Sequence, residues 1–333
     1  MRKRTKKINL LWITDPFETL DHRKDTTLRL IEESHALGYR QSWCCPADFS
    51  LSEKSRIFSR ELSGIGPDRA SESITFKAVK AAKLNEYSHV FFRVDPPVNT
   101  SFLMSLQLLR ANLDVRKTEV VNPVETLSLL SEKLIPLSIP KFTPPTLVTN
   151  RWDDALVFYR KHKKILLKPL NGAQSKGISI PETEAEFRER FLALTSVLTS
   201  APASPSGAIV GDNEFSPCLL QKFSPEISNG EKRLWFSDGK LLCFGQKKPR
   251  AGDFIINMDG GGSVVAEPLT KKEKNAVPQI ARVLKVHGIR WAAVDLIDGL
   301  ITDFNHTSPG LISQLELVWS ENFARPLMKR TLG

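Results

Sequence analysis

Apolar residues in this chain fall into short continuous runs, separated by stretches with helical spacing. INLLWIT (8–14) reads as a buried strand ending at Asp15-Pro16. After a polar loop, TTLRLIEESHALGY (26–39) places Leu28, Leu30, Ile31, Ala36 and Leu37 at helical intervals. It stops at Gly38 and can be capped by Asp25 or Thr26. RQSWCCP (40–46) is a second strand, and residues 50–85 give no clear period. HVFFRVDPP (89–97) is a strand meeting a Pro-Pro stop, 101–113 a helix capped by Asn99 or Thr100, and EVVNPV (119–124) a closing strand. Strand and helix in alternation predict an open α/β sheet with a ligand crevice at the strand ends. No GxGxxG follows the first strand, so the dinucleotide fingerprint is absent. The first domain is expected to span residues 1–123 and a second residues 124–333.

The second half carries a different pattern. Residues 124–140 predict a helix that includes Lys133 and breaks at Pro136, and 151–163 predict another. KILLKPL (164–170) is a strand, NGAQSKG (171–177) a loop, ISI a returning strand and 181–199 a helix. Residues 200–214 are rich in Ser, Pro and Gly and read as a mobile surface loop. CLLQKF (218–223) is a strand, and 233–248 a hairpin turned by Asp238-Gly239. A Gly-rich loop (249–262) and a helix ended by Gly288 lead to WAAVDLIDGLITDFNHTSPG (291–310). There two apolar runs flank Asp298-Gly299, which suits a tight hairpin because Gly accepts positive φ. No internal repeat is visible.

Length allows two or three domains, since the chain has 333 residues. With 41% apolar and 25% charged residues it has the composition of a soluble globular protein. No apolar run is long enough to cross a bilayer, and the INLLWI after the basic start is too short for a signal-peptide core. A cytoplasmic protein with no membrane partner is expected. Cys44, Cys45, Cys218 and Cys243 match no zinc or thioredoxin spacing and read as reduced, buried thiols. The net charge of +10 suits either nucleic acid or anionic small molecules. The basic residues are dispersed, and neither basic run is interleaved with aromatics, so nucleic acid is not an expected partner.

Candidate chemistry clusters in the second half. Asp303 and Asn305 share one face of a strand, and Asp295 comes from its hairpin partner. Three oxygen donors on one face suit a hard cation such as Mg²⁺; the alternative is a solvated hairpin. Lys168 ends an apolar strand before a loop with two glycines, so it either meets a phosphate or snorkels to water. Lys133 has a weaker case, a solvated helix face being the alternative. Arg233 offers a two-pronged fork for phosphate or carboxylate, or belongs to a surface charge cluster with Glu231.

The order of these signals, together with DPFETLDHRKDTT, VVNPVETL, ILLKPLNG, LLQKFSPEISNGEKRL and NHTSP, resembles the ATP-grasp ligases, specifically bacterial glutathione synthetases. The resemblance covers nearly the whole chain. It implies a Rossmann-like pre-ATP-grasp α/β domain followed by a two-lobed ATP-grasp domain. It implies a carboxylate–amine ligase joining γ-glutamylcysteine and glycine through an acyl phosphate, with ATP and Mg²⁺ (two ions) or Mn²⁺ as cofactors. A homo-oligomer is also implied. Residue by residue, Lys133 and Lys168 would contact ATP phosphates, and Gln221, Lys222 and Phe223 would lie by adenine. Glu231 would hold the ribose, Asp295, Asp303 and Asn305 the metal, and Arg233 the moving phosphoryl group. Lys168 and Arg233 would be the catalytic pair, with Asn257 and Ser308 bordering the acidic peptide substrate.

The chain also departs from the family. Asp303 stands where the family has Glu, and Ile255 where it has Arg. Val94 replaces the Lys of the RKDPP-type motif, and Gln174 and Ser175 dilute the glycines of the phosphate loop. Three readings follow: a glutathione synthetase, a sibling ligase with another acid or amine, or a nucleotide-binding protein without ligase activity.

Overall fold

The computed structural model describes residues 8–52, 56–66, 73–170, 172, 177–195, 216–250, 256 and 261–333. Strands β1 (Asn9–Ile13), β2 (Arg40–Cys44), β7 (His89–Phe92) and β8 (Glu119–Val121) pair in parallel in the order β2-β1-β7-β8. β1 and β7, the two central strands, are short apolar runs, as strands covered on both faces must be. Helix α1 (Thr26–Ala36) is capped by the Asp25 side chain, and α2 (Thr100–Asn112) by that of Asn99. Residues 50–85, unreadable by period, extend the sheet. There β4 (Arg56–Ile65) pairs antiparallel with β2, with β3 (Phe49–Ser50) and with the three-residue strands β5 (Ile74–Phe76) and β6 (Lys80–Ala82). Strands that short carry too few alternations to show a pattern.

The predicted helix over 124–140 is cut down to α3 (Val124–Leu129). Glu132 explains the early stop. Its carboxylate accepts the His306 N–H, the Thr307 N–H and the Thr307 hydroxyl at 2.7, 2.8 and 2.9 Å, and its own carbonyl accepts the Phe304 N–H. These bonds pull residues 132–133 out of helix and against the hairpin, so Lys133 is not on a helix.

A three-stranded antiparallel sheet follows, ordered β10-β11-β9 from β9 (Thr146–Thr149), β10 (Ile165–Pro169) and β11 (Cys218–Lys222). Helices α4 (Trp152–His162) and α5 (Glu184–Thr195) cover it around Tyr159, Phe187 and Phe191. The expected ISI strand is one isolated bridge, Leu167 to Ser179. The third sheet is five-stranded and antiparallel, β14-β13-β12-β15-β16. It is built from β12 (Glu231–Ser237), β13 (Lys240–Lys248), β14 (Ser263–Val265), β15 (Trp291–Ile297) and β16 (Leu300–Asn305), with α6 (Lys271–Val286) packed on it. Its two hairpins turn at Asp238-Gly239 and Asp298-Gly299, all four residues at positive φ.

Helices α7 (Ile312–Trp319) and α8 (Ala324–Leu332) were not read from the sequence. They return to α1, and one apolar core runs from Trp12 and Phe91 through Trp291 and Trp235 to Leu327. Trp12, Phe91 and Trp291 stack in series at 4.3 and 5.0 Å between ring centroids. Asn122, 2% exposed, locks this junction. Its Nδ2 donates to the carbonyls of Trp291 and His306, and its Oδ1 accepts the N–H groups of Arg290 and Trp291. All four cysteines are unpaired, and burial pushes the Cys218 thiol up to about 12. No described helix is long and apolar enough to cross a membrane.

Asn122→Ala strands four buried backbone groups. Its expected cost is about 3 kcal/mol of folding stability, read as a lower urea midpoint at unchanged slope. A midpoint within error of the parent would remove Asn122 from this role.

Candidate active site

The register of the five-stranded sheet puts ionised side chains on one face. Glu231 and Arg233 are two apart on β12, hence on the same side. Lys247 of β13 is opposite Glu231, Asp295 of β15 opposite Arg233, and Asp303 of β16 opposite Asp295. Arg233 donates Nε and Nη2 to the two oxygens of Asp295 at 2.8 and 2.6 Å. Burial alone would raise the Asp295 carboxyl, but Arg233 and Lys247 outweigh it and hold that pKa well below the usual carboxylate range. Asn305 donates Nδ2 to Ala293 O and to Asp295 Oδ2, at 3.0 and 3.2 Å.

These residues line a cavity of about 560 Å³. Lys133 and Lys168 enter it from the opposite wall and are 9% and 8% exposed. Lys168 Nζ donates to Gln221 Oε1 at 3.3 Å and approaches Thr302 O at 3.5 Å, while Lys133 reaches the carbonyls of Gly172 and Leu170. Among the described residues neither lysine has a carboxylate within ion-pair distance. Burial lowers the Lys168 pKa, with Asp303 and Glu231 opposing the shift. Among the described residues Asp303 accepts one hydrogen bond, from the Phe304 N–H at 3.1 Å. Desolvation outweighs the nearby Lys133 and Lys168 and pushes its carboxyl up to about 6.

A narrower slot of about 80 Å³ adjoins Lys168. Leu166, Ile178, Ile180, Phe223, Ile227 and Ile297 give it apolar walls, and Gln221, Lys222 and Glu231 reach its rim. Buried Gln221 also orients Lys168, accepting from its Nζ while donating to Thr146 Oγ1.

At the far end the lining changes to Asp21, Asp25, Asp95, Arg93 and Ser308. Arg93 is 4% exposed and bonds Thr27 Oγ1 and Pro309 O, while its Nη1 has no partner among the described residues. Ser308 donates to Arg93 O at 3.3 Å. Val94 points away from this wall and packs against the apolar cluster of the first sheet, so the missing lysine takes no charge from the described cavity. Asn257, Ile255, Gln174, Ser175 and the 200–214 loop lie outside the described residues. Motif reading passed over Glu132, Arg93 and Lys247. For Lys247 the available signal was a charge at a strand position whose alternation faces the site.

The oxygen donors fit a hard cation at Asp303 and Asn305. Asp295 is already engaged by cations of the chain, and the described residues hold no group of three His, Cys, Asp or Glu side chains placed for a metal.

Comparison with known proteins places this geometry. The family model of the prokaryotic glutathione synthetase N-terminal domain matches residues 8–127, and that of its ATP-grasp domain residues 132–319. The chain belongs to the prokaryotic glutathione synthetase family. The glutathione synthetase of Prochlorococcus marinus is 28% identical, over 97% of this chain and 98% of the relative. That of Vibrio cholerae is 27% identical over 96% of both. Among solved structures, the D-cycloserine synthetase DcsG superposes with a TM-score of 0.62 at 16% identity, over 96% of this chain and 99% of that one. The ATP-grasp ligase PsnB, complexed with a minimal precursor, gives 0.61 at 14%, over 98% and 99%. The fold is ATP-grasp, and the protein is a glutathione synthetase-like, C–N bond-forming ligase.

Asp303 should leave a pH signature. Folded Asp303 keeps its proton between pH 4 and about 6, where the unfolded chain has released it. Its contribution to stability is therefore present at low pH and lost as pH rises through about 6. In chelator, Asp303→Asn is expected to stabilise the protein by about 3 kcal/mol at pH 8. The advantage should vanish toward pH 4. Thermal melts of both proteins across that range check it, and a difference independent of pH would contradict it.

Proposed function

We propose that this protein is an ATP-dependent ligase that activates a peptide carboxylate by phosphorylation and couples it to an amine, as a glutathione synthetase does with γ-glutamylcysteine and glycine. The observation that carries this reading is the pair of buried lysines, Lys133 and Lys168, facing the cavity with carbonyl partners only. A buried ammonium without a counter-ion is costly, and a polyphosphate supplies what is missing. The apolar slot beside Lys168 suits adenine, with Lys222 and Phe223 at its hinge and Glu231 near the ribose.

The reading divides the chain into residues 1–123 on the substrate side and 124–333 around the nucleotide. The acid substrate lies along the cavity toward Arg93, Asp25 and Asp95. Its distal amine meets the carboxylates, and Ser308 and Asn257 border its path. Its reacting carboxylate takes the γ-phosphoryl group in line, and ADP leaves. The amine then attacks the acyl carbon, and phosphate departs. Lys133, Lys168 and Arg233 steady the charge as it moves. Asp303 and Asn305 would hold Mg²⁺, which screens phosphate charge. Positioning and electrostatics suffice, so no protein nucleophile is required.

A second reading, a sibling ligase with another acid or amine, draws on Ile255, which stands where the family has Arg.

Two experiments test the proposal. Phosphate release from Mg-ATP should require both γ-glutamylcysteine and glycine. Release with a different pair from a panel of acids and amines would select the sibling ligase, and silence throughout would refute ligase activity. Lys168→Met should lower turnover by about 100-fold or more without lowering the melting temperature, since it removes a buried charge. Normal turnover in that variant would sink the phosphate assignment.

A further inference from the structure

Lys247 bridges two buried carboxylates. Its side chain is 8% exposed, and Nζ stands 2.5 Å from Oε2 of Glu231 and 3.0 Å from Oδ2 of Asp295. A cation bridging two buried carboxylates is what such a pair needs to stay ionised. Here the chain provides it, on a strand whose register sets Lys247 opposite Glu231.

Most of what Asp295 could offer a metal is already taken: three donors crowd Oδ2 and one meets Oδ1. A carboxylate presents about four lone-pair sites. Arg233 Nε, Arg233 Nη2, Lys247 Nζ and Asn305 Nδ2 donate to its two oxygens at 2.8, 2.6, 3.0 and 3.2 Å. Asp303 contrasts with it. That carboxylate also borders the cavity, yet among the described residues it takes a single hydrogen bond, from its neighbour's backbone. One acid is neutralised by two fixed cations, Arg233 and Lys247, and the other is left for a mobile one.

We infer that Lys247 is a built-in cation that replaces the second divalent ion expected for this centre, so that one ion, met by Asp303 and Asn305, accompanies the nucleotide. The inference rests on the ATP-dependent ligase reading. It makes metal stoichiometry a property of one side chain. Replacing Lys247 with a neutral residue frees an acceptor site on both Glu231 and Asp295 and opens the corner to a second ion. Arginine keeps the charge and should keep the corner closed.

The test counts Mn²⁺ by electron paramagnetic resonance against bound non-hydrolysable ATP analogue, so no turnover is needed. The parent protein is expected to bind one Mn²⁺ per nucleotide, Lys247→Arg one, and Lys247→Met two. Two Mn²⁺ per nucleotide in the parent overturns the inference while leaving the ligase reading intact. One in a folded Lys247→Met overturns it as well. If Lys247→Met does not fold, the parent count decides. Failure of the parent to bind nucleotide would overturn the ligase reading and this inference together.

Discussion

Buried charge is the constraint on which this molecule turns. Glu231, Arg233, Lys247 and Asp295 are packed onto one face of one sheet. Desolvating any of them alone would cost several kcal/mol. Antiparallel pairing solves the problem because directly opposed residues put their side chains within ion-pair reach. The ladder therefore does more than hold strands together. It decides which acid is neutralised by the chain, Asp295, and which is left facing the cavity with a raised pKa, Asp303. On the opposite wall the solution is withheld. Lys133 and Lys168 are buried against carbonyl oxygens, and that imbalance is what an anionic substrate can relieve.

The charges are useful only if both walls keep their places. One apolar core, with the Trp12, Phe91 and Trp291 stack within it, joins the first sheet to the five-stranded one. Three polar residues refine the junction. Asn122 serves four backbone groups of the hairpin. Glu132 collects the amides after β16. Arg93 ties the start of α1 to the loop at Pro309. Each replaces water for backbone groups that would otherwise be buried unpaired. Together they hold the Arg93 end of the cavity at a set distance from the end at Lys133 and Lys168.

Much of this was legible along the chain. The apolar runs, the caps at Asp25 and Asn99 and the two Asp-Gly turns are local signals, governed by backbone sterics and side-chain period. The order of the motifs was enough to indicate the family and the ATP-grasp fold. Less local features were not legible. Lys133 looked helical because its neighbours have helical spacing, but Glu132 had stronger partners 174 residues away in sequence. Val94 looked like a lost binding charge. Just past the end of its strand it turns into an apolar cluster, while Arg93 lines the cavity.

By itself, then, the sequence determined the element types, the turns and the set of chemically capable side chains. These depend on interactions within a few residues, where spacing alone states who can meet whom. Only the tertiary structure decided how those side chains are shared out. Asp295, Asp303 and Asn305 read alike as metal ligands. The fold engages Asp295 with Arg233, Lys247 and Asn305 and, among the described residues, leaves Asp303 largely unpartnered, because strand register and burial, which no local pattern encodes, set which charges meet.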